Sequence, residues 1–121
     1  MKAYFQAILY RDADPSWINI ELVDVPGGIS CARSLDEAHI MARDCLQAIL
    51  RTQNILGEVK SYDDLVESYD KPNGWWLEFI EIDLPEEMID ILGIFITDPS
   101  KHFPTLEAKL RNDELRTNVL N

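Results

Sequence analysis

The sequence predicts a small α+β fold, with an antiparallel-rich sheet in the order β-β-β-α-β and one main amphipathic helix packed on a face of that sheet. Residues 17–23 alternate between apolar and polar, which is typical of a strand with one buried face. A segment from about residue 35 to 54 repeats apolar residues at helical spacing. The length of 121 residues and the apolar fraction of 46% suit one domain with a single core. We therefore expect one domain over residues 1–84, followed by a helical or irregular extension over residues 85–121.

Three further segments have the composition of strands. Residues 3–10 and 75–84 are rich in aromatic and aliphatic side chains, and residues 29–32 form a short apolar run. Pro26 and Gly27 stand between the second and third strands, where they predict a turn. The first two strands are expected to pair as an antiparallel hairpin.

Ser34 and Glu37 mark the start of the main helix. The Ser34 hydroxyl can accept the backbone N–H of Glu37, and the Glu37 carboxylate can reach back to the N–H of Ser34. Gly57 is expected to close the helix. Residues at three- and four-residue steps predict its apolar face: Leu35, Ala38, Ala42, Cys45 and Ile49.

Shorter elements follow the main helix. Residues 61–70 predict about two helical turns, which the Lys-Pro-Asn-Gly sequence then ends. Pro85 can begin a helix that reaches about residue 92, and residues 105–117 predict a short polar helix. The extension is expected either to pack on the domain or to build an oligomer interface through four apolar residues: Met88, Ile89, Leu92 and Phe95. A dimer is the default expectation, because closed two-fold dimers are the commonest soluble assemblies.

The charge of the chain is strongly negative. Twenty-two acidic residues against eleven basic ones give a formal net charge of −11, which argues against a broad basic surface for nucleic acid. Residues 61–84 contain one basic residue, Lys71, and seven acidic ones: Asp63, Asp64, Glu67, Asp70, Glu78, Glu81 and Asp83. A basic partner would suit this segment, although acidity also keeps a small protein soluble.

No catalytic, cofactor-binding or metal-binding residue is predicted. A two-metal nuclease site needs converging carboxylates, usually with one in the first strand, whereas residues 3–10 contain no acid. Glu78 is expected to point to the face of its strand opposite to Glu81 and Asp83. His39 lies toward the polar flank of the main helix, where we expect a solvated surface histidine. The chain is therefore predicted not to be an enzyme.

The two cysteines favour a reducing compartment. Cys31 lies in a predicted strand and Cys45 on the predicted apolar helix face, so both are expected to be buried and unpaired. The apolar run near the N-terminus is short and interrupted by polar residues, so neither a signal peptide nor a membrane span is predicted. We expect a cytoplasmic protein.

Four motifs occur in order along the predicted domain. They are VPG at 25–27, SLDEA at 34–38, MARD at 41–44 and FIEIDL at 79–84. With these motifs and this order of strands, residues 3–84 resemble the N-terminal domain of the HicB-type antitoxins, bacterial and phage proteins with a partial RNase H-like fold. The residues that carry the turn and the helix cap, Pro26, Gly27, Ser34 and Glu37, define the fold in this comparison.

The resemblance implies an inhibitory role. HicB-type proteins lack nuclease carboxylates and neutralise a small basic HicA-type toxin, a ribonuclease with a double-stranded-RNA-binding-like fold. An acidic chain suits that role, because opposite charge accelerates encounter and carboxylates can occupy a surface built for phosphates. We therefore expect a non-catalytic, antitoxin-like protein. The alternative is a solitary HicB-like interaction or scaffold domain without a toxin partner.

The charge distribution, rather than the resemblance, nominates the partner-binding residues. They are Asp63, Asp64, Glu67, Asp70, Glu78 and Glu81. Family members often end in a ribbon-helix-helix or helix-turn-helix element that binds operator DNA. Residues 85–121 carry seven acids against four bases and no basic ribbon, so DNA binding is not predicted.

Overall fold

A computed structural model describes residues 2–25, 27–52, 59–68, 74–87, 96 and 98–120. It confirms the predicted α+β fold. The strands are β1 (Lys2–Arg11), β2 (Ile18–Leu22), β3 (Ile29–Ala32) and β4 (Trp76–Asp83). The helices are α1 (Leu35–Thr52), α2 (Tyr62–Ser68) and α3 (Leu106–Leu120), with a short 3-10 helix at Pro99–Lys101.

The four strands form one antiparallel sheet in the order β3-β2-β1-β4. β1 is the central strand, pairing Ala7 with Leu22 of β2 on one side and Ile8 with Leu77 of β4 on the other. A backbone bridge between Tyr4 and Ile96 continues the β2 side of β1. β4 therefore forms one edge of the sheet and β3 the other.

Both faces of the sheet are buried against other elements. Alternate residues of β1 and β4, such as Phe5, Leu9 and Trp76, face α1 and form the larger core. Ile8 and Leu77 face the opposite side, where they pack with Tyr62 and Leu65 of α2. This double coverage explains why the first and last strands read as nearly continuous apolar runs.

The turn between β2 and β3 depends on glycine. Gly27 has a φ of 79°, which is in the left-handed region that side chains disfavour. At Gly28 a Cβ atom would lie 2.6 Å from the Cβ of Leu22, so any larger residue would force the turn away from β2. The predicted turn is confirmed at Gly27, whereas Pro26 lies outside the described residues.

The N-terminus of α1 has one of the two predicted capping hydrogen bonds. The Ser34 hydroxyl accepts the backbone N–H of Glu37 at 3.1 Å. The return bond from Ser34 N–H to the Glu37 carboxylate is absent between these two described residues. On the apolar face Leu35, Ala38 and Ala42 are buried, but the deepest contribution of the next turn comes from Leu46.

The C-terminal part of the described chain packs onto the sheet. α3 places Leu115 against the larger core and Ala108 against the smaller one, so it crosses the edge of β4. The predicted helix at residues 105–117 is thus confirmed at slightly shifted bounds. Of the predicted helix reaching residue 92, only the residues up to 87 are described, and the four candidate interface residues all lie outside the described residues: Met88, Ile89, Leu92 and Phe95. Within the described chain, no helix has both the length and the apolar character needed to cross a bilayer.

Candidate functional site

The acidic residues of α2 form an exposed group. Tyr62 and Leu65 bury one side of this short helix, which leaves Asp63, Asp64 and Glu67 exposed on its outer side. Within the described part of the chain these three carboxylates have no cationic partner. Asp63 and Asp64 also stabilise the helix N-terminus through its dipole. The α2 acids therefore present negative charge to solvent that no ion pair offsets.

The other predicted partner-binding residues do not extend this group. Glu81 lies on β4, where its carboxylate is 2.9 Å from the Lys2 ammonium. The hydrogen bond from Lys2 lowers the pKa of Glu81. Glu78 is buried, and Asp70 lies outside the described residues. Of the six candidates, the structure brings Asp63, Asp64 and Glu67 together on one exposed surface.

Glu78 is buried and instead forms the centre of a partly exposed polar cluster. Its side chain, 5% exposed, faces α1 because even-numbered residues of β4 point to that side. The Glu78 carboxylate lies 2.8 Å from Nε2 of His39 and accepts Nε–H of Arg116 at 3.0 and 2.9 Å. The prediction that His39 is a solvated surface histidine is wrong, because β4 brings a carboxylate against that flank of α1.

Asn112 of α3 caps the backbone of β4. Its Oδ1 accepts the N–H of Leu77 at 2.7 Å, and its Nδ2 donates to the Leu77 carbonyl at 3.0 Å. Asn112 is 5% exposed, so these bonds are sheltered from water. The amide group occupies the place that a neighbouring strand would take. Nothing in the local sequence distinguishes Asn112 from Asn118 of the same helix, which is exposed.

Grooves follow the outer edge of β4. The first, of about 340 Å³, is lined by residues of α1, β4, α3 and the 99–103 segment, including His39, Glu78, Phe79, Phe103, Asn112 and Arg116. A second, of about 360 Å³, continues between Glu81 to Asp83 and Arg43 and Gln47 of α1. A third, of about 280 Å³, reaches Leu84. The β4 edge is therefore flanked by grooves from Leu77 to Leu84.

A second polar cluster lies on the face of the sheet that α2 covers. The Gln6 amide donates to the Asp24 carboxylate at 2.8 Å and to the Lys60 carbonyl at 2.7 Å, and Lys60 N–H donates to Asp24 at 3.1 Å. Burial raises the pKa of Asp24, although these hydrogen bonds oppose the shift. Burial lowers the pKa of His102, whose Nε2 is buried and lacks a hydrogen-bond partner.

The described residues contain no group of three His, Cys, Asp or Glu side chains placed to hold a metal ion. Cys31 and Cys45 are both free, but the prediction that both are buried is wrong, because Cys31 is exposed and Cys45 is half-buried. Along β3 it is Ala32 that points into the core, so Cys31, its neighbour in the strand, points to the other face.

Comparison with protein-family models, with curated proteins and with solved structures found no match for this chain.

Proposed function

We propose that this chain is a non-catalytic, antitoxin-like protein that binds and neutralises a small basic ribonuclease of the HicA type. The observation that carries the proposal is the unpaired negative charge on α2, in a chain with a net charge of −11. The resemblance of residues 3–84 to HicB-type antitoxins supports it. A cytoplasmic location, consistent with two free cysteines, belongs to the same proposal.

The α2 acids have two physical effects on a basic partner. Their field attracts it during diffusion, and this raises the association rate in a salt-dependent way. They also offer carboxylate oxygens to Lys and Arg side chains that would otherwise contact RNA phosphates. Glu78 contributes neither effect, because His39 and Arg116 already surround its buried carboxylate.

The experiment is co-expression with the product of the neighbouring gene, followed by copurification and a ribonuclease assay. We expect the partner to copurify and its ribonuclease activity to be inhibited. Changing Asp63, Asp64 and Glu67 together to lysine should weaken binding by about tenfold or more at low salt, with a smaller loss at high salt because salt screens exposed charges.

A matched control changes three exposed acids elsewhere, Asp44, Glu86 and Glu114, to lysine. This control alters the net charge equally, so an equal loss of binding would assign the effect to overall charge and contradict the α2 surface. A partner that copurifies without being inhibited would favour the alternative, a HicB-like scaffold domain. Failure of any partner to copurify would contradict the antitoxin proposal itself.

A further inference from the structure

Among the described residues, the outer edge of β4 has backbone groups without hydrogen-bond partners. Tyr4 and Gln6 of β1 direct their backbone bonds to the β2 side, toward Ile96 and Val23. Their β4 neighbours, Glu81 and Phe79, consequently direct their own N–H and C=O groups outward. The bonds from Asn112 to both backbone groups of Leu77 fit the same alternation.

Only part of this edge is covered. The Asn112 side chain forms hydrogen bonds with the N–H and C=O of Leu77, and the Nε–H of Arg43 donates to the Glu81 carbonyl at 2.8 Å. Among the described residues, the N–H and C=O of Phe79 and the N–H of Glu81 have no hydrogen-bond partner. These free groups open onto the grooves that follow the strand. An uncovered strand edge is a template for pairing with another extended chain.

We propose that the edge of β4 from Phe79 to Asp83 is a strand-addition site for an extended segment of a partner protein whose residues alternate between basic and acidic. The site spans five residues, about 14 Å at the rise of a strand. Asn112 and α3 close it at the Leu77 end. The proposal is independent of the antitoxin role, because it concerns a different surface from α2.

The charges on the two sides of the edge define the occupant. On the α1 side the grooves are lined by cationic side chains, Arg43 and Arg51. On the other side are the side chains of Glu81, which Lys2 already pairs, and Asp83, which has no ion pair among the described residues, since odd-numbered residues of β4 point away from α1. An added strand alternates its side chains in the same way. Acidic residues would meet the arginines, and basic residues would meet the carboxylates.

A second copy of this chain fits the edge poorly. A two-fold pairing of β4 with itself is antiparallel and uses the outward residues of each copy. Every such register that leaves α3 in place puts Glu81 or Asp83 opposite an acidic residue of the other copy, and directly opposed like charges are destabilising. Charge therefore favours a foreign segment over a dimer at this edge.

The test measures amide hydrogen exchange by NMR on the full chain with a peptide probe. The probe is an eight-residue peptide of alternating lysine and glutamate, which places one charge on each face of an extended strand. The control peptide has the same composition in the order Lys-Lys-Glu-Glu-Lys-Lys-Glu-Glu, which places both charges on each face. In the free protein the amides of Phe79 and Glu81 should exchange rapidly, while those of Glu78 and Ile80 are protected by pairing with β1. The alternating peptide should slow exchange at Phe79 and Glu81 by about tenfold or more.

Two variants separate backbone pairing from charge. Glu81→Pro removes the outward N–H while leaving the bonds to β1, so it should abolish binding of the alternating peptide. Glu81→Ala removes the same side chain but keeps the N–H, so it should bind the alternating peptide more weakly than the unchanged protein and more strongly than Glu81→Pro; equal loss in the two variants would contradict backbone pairing. If Glu81→Pro does not fold, the exchange experiment on the unchanged protein still decides.

The proposal is overturned if the alternating peptide leaves exchange at Phe79 and Glu81 unchanged, or if both peptides protect these amides equally. Protection that rises with protein concentration and without peptide would show a second copy at the edge and would also overturn it. Because the readout is at β4, failure here leaves the test of the α2 surface untouched.

Discussion

Asn112→Ala tests whether α3 is held by the backbone of β4. The change removes two hydrogen bonds to Leu77, each of which contributes about 1 kcal/mol net to stability. It also leaves the buried N–H and C=O of Leu77 without partners, and each of these groups that water cannot reach adds about 1–3 kcal/mol to the loss of stability. Removing the amide opens this position to the adjacent groove, so water can reach part of it in the variant, and alanine gains about 0.6 kcal/mol in helix propensity. The expected loss in the free energy of unfolding is about 2 kcal/mol.

Urea and thermal unfolding followed by circular dichroism measure this loss. For a chain of this size, about 2 kcal/mol corresponds to a fall in Tm of about 8 °C. Asn118→Ala is the matched control, because Asn118 is exposed on the same helix, and it should stabilise the protein slightly through helix propensity alone. Equal effects of the two substitutions would refute the conclusion that Asn112 acts as an edge cap.

Two more outcomes follow from the buried polar groups. Glu78→Gln keeps the shape of the side chain but removes the charge that His39 and Arg116 contact, and it should lower the free energy of unfolding in urea by about 1–3 kcal/mol, at the low end because the Arg116 side chain is 45% exposed. The control is Glu81→Gln at the exposed pair with Lys2, which should leave the urea midpoint unchanged. Equal effects of the two substitutions would contradict the reasoning. Because burial lowers the pKa of His102, the unfolded chain binds more protons as the pH falls below about 6.5, so stability should decrease in that window. His102→Phe should flatten this decrease when unfolding is measured at neutral and mildly acidic pH, and an unaltered slope would show that His102 does not cause it.

The local features of the fold could be predicted because their signals lie within a few residues. Alternation at Ile18, Ile20 and Leu22 predicted β2, and all three side chains are buried. The Ser34 cap required only the geometry of one helical turn. By contrast, the helical spacing alone did not show whether Cys45 or Leu46 lies deeper in the core. Neighbouring residues of a helix differ by about 100° in direction, so an error of one position in the predicted apolar face selects a different side chain.

The candidate sites were predicted less well, because charge counting ignores direction and depth. The acids of residues 61–84 are close together along the chain, but the fold separates them. They lie on the exposed side of α2, on the outer side of β4 and, for Glu78, in the interior. Among the described acids of this segment, Asp83 on β4 and the three exposed acids of α2 form no ion pair. A pattern of charges along the chain predicts the sign of the surface potential better than the identity of a binding residue.

The sequence by itself determined the α+β class, the four strands, the capped helix and the acidic character of this protein, because each depends on local periodicity or on composition. Only the tertiary structure decided that Glu78 binds His39 and Arg116, that Asn112 caps β4, and that the outward N–H groups of Phe79 and Glu81 have no partner among the described residues. These contacts join residues 35 to 39 positions apart in the chain. Whether such polar groups are paired, buried or free depends on how β4, α1 and α3 meet, and no local pattern encodes that packing.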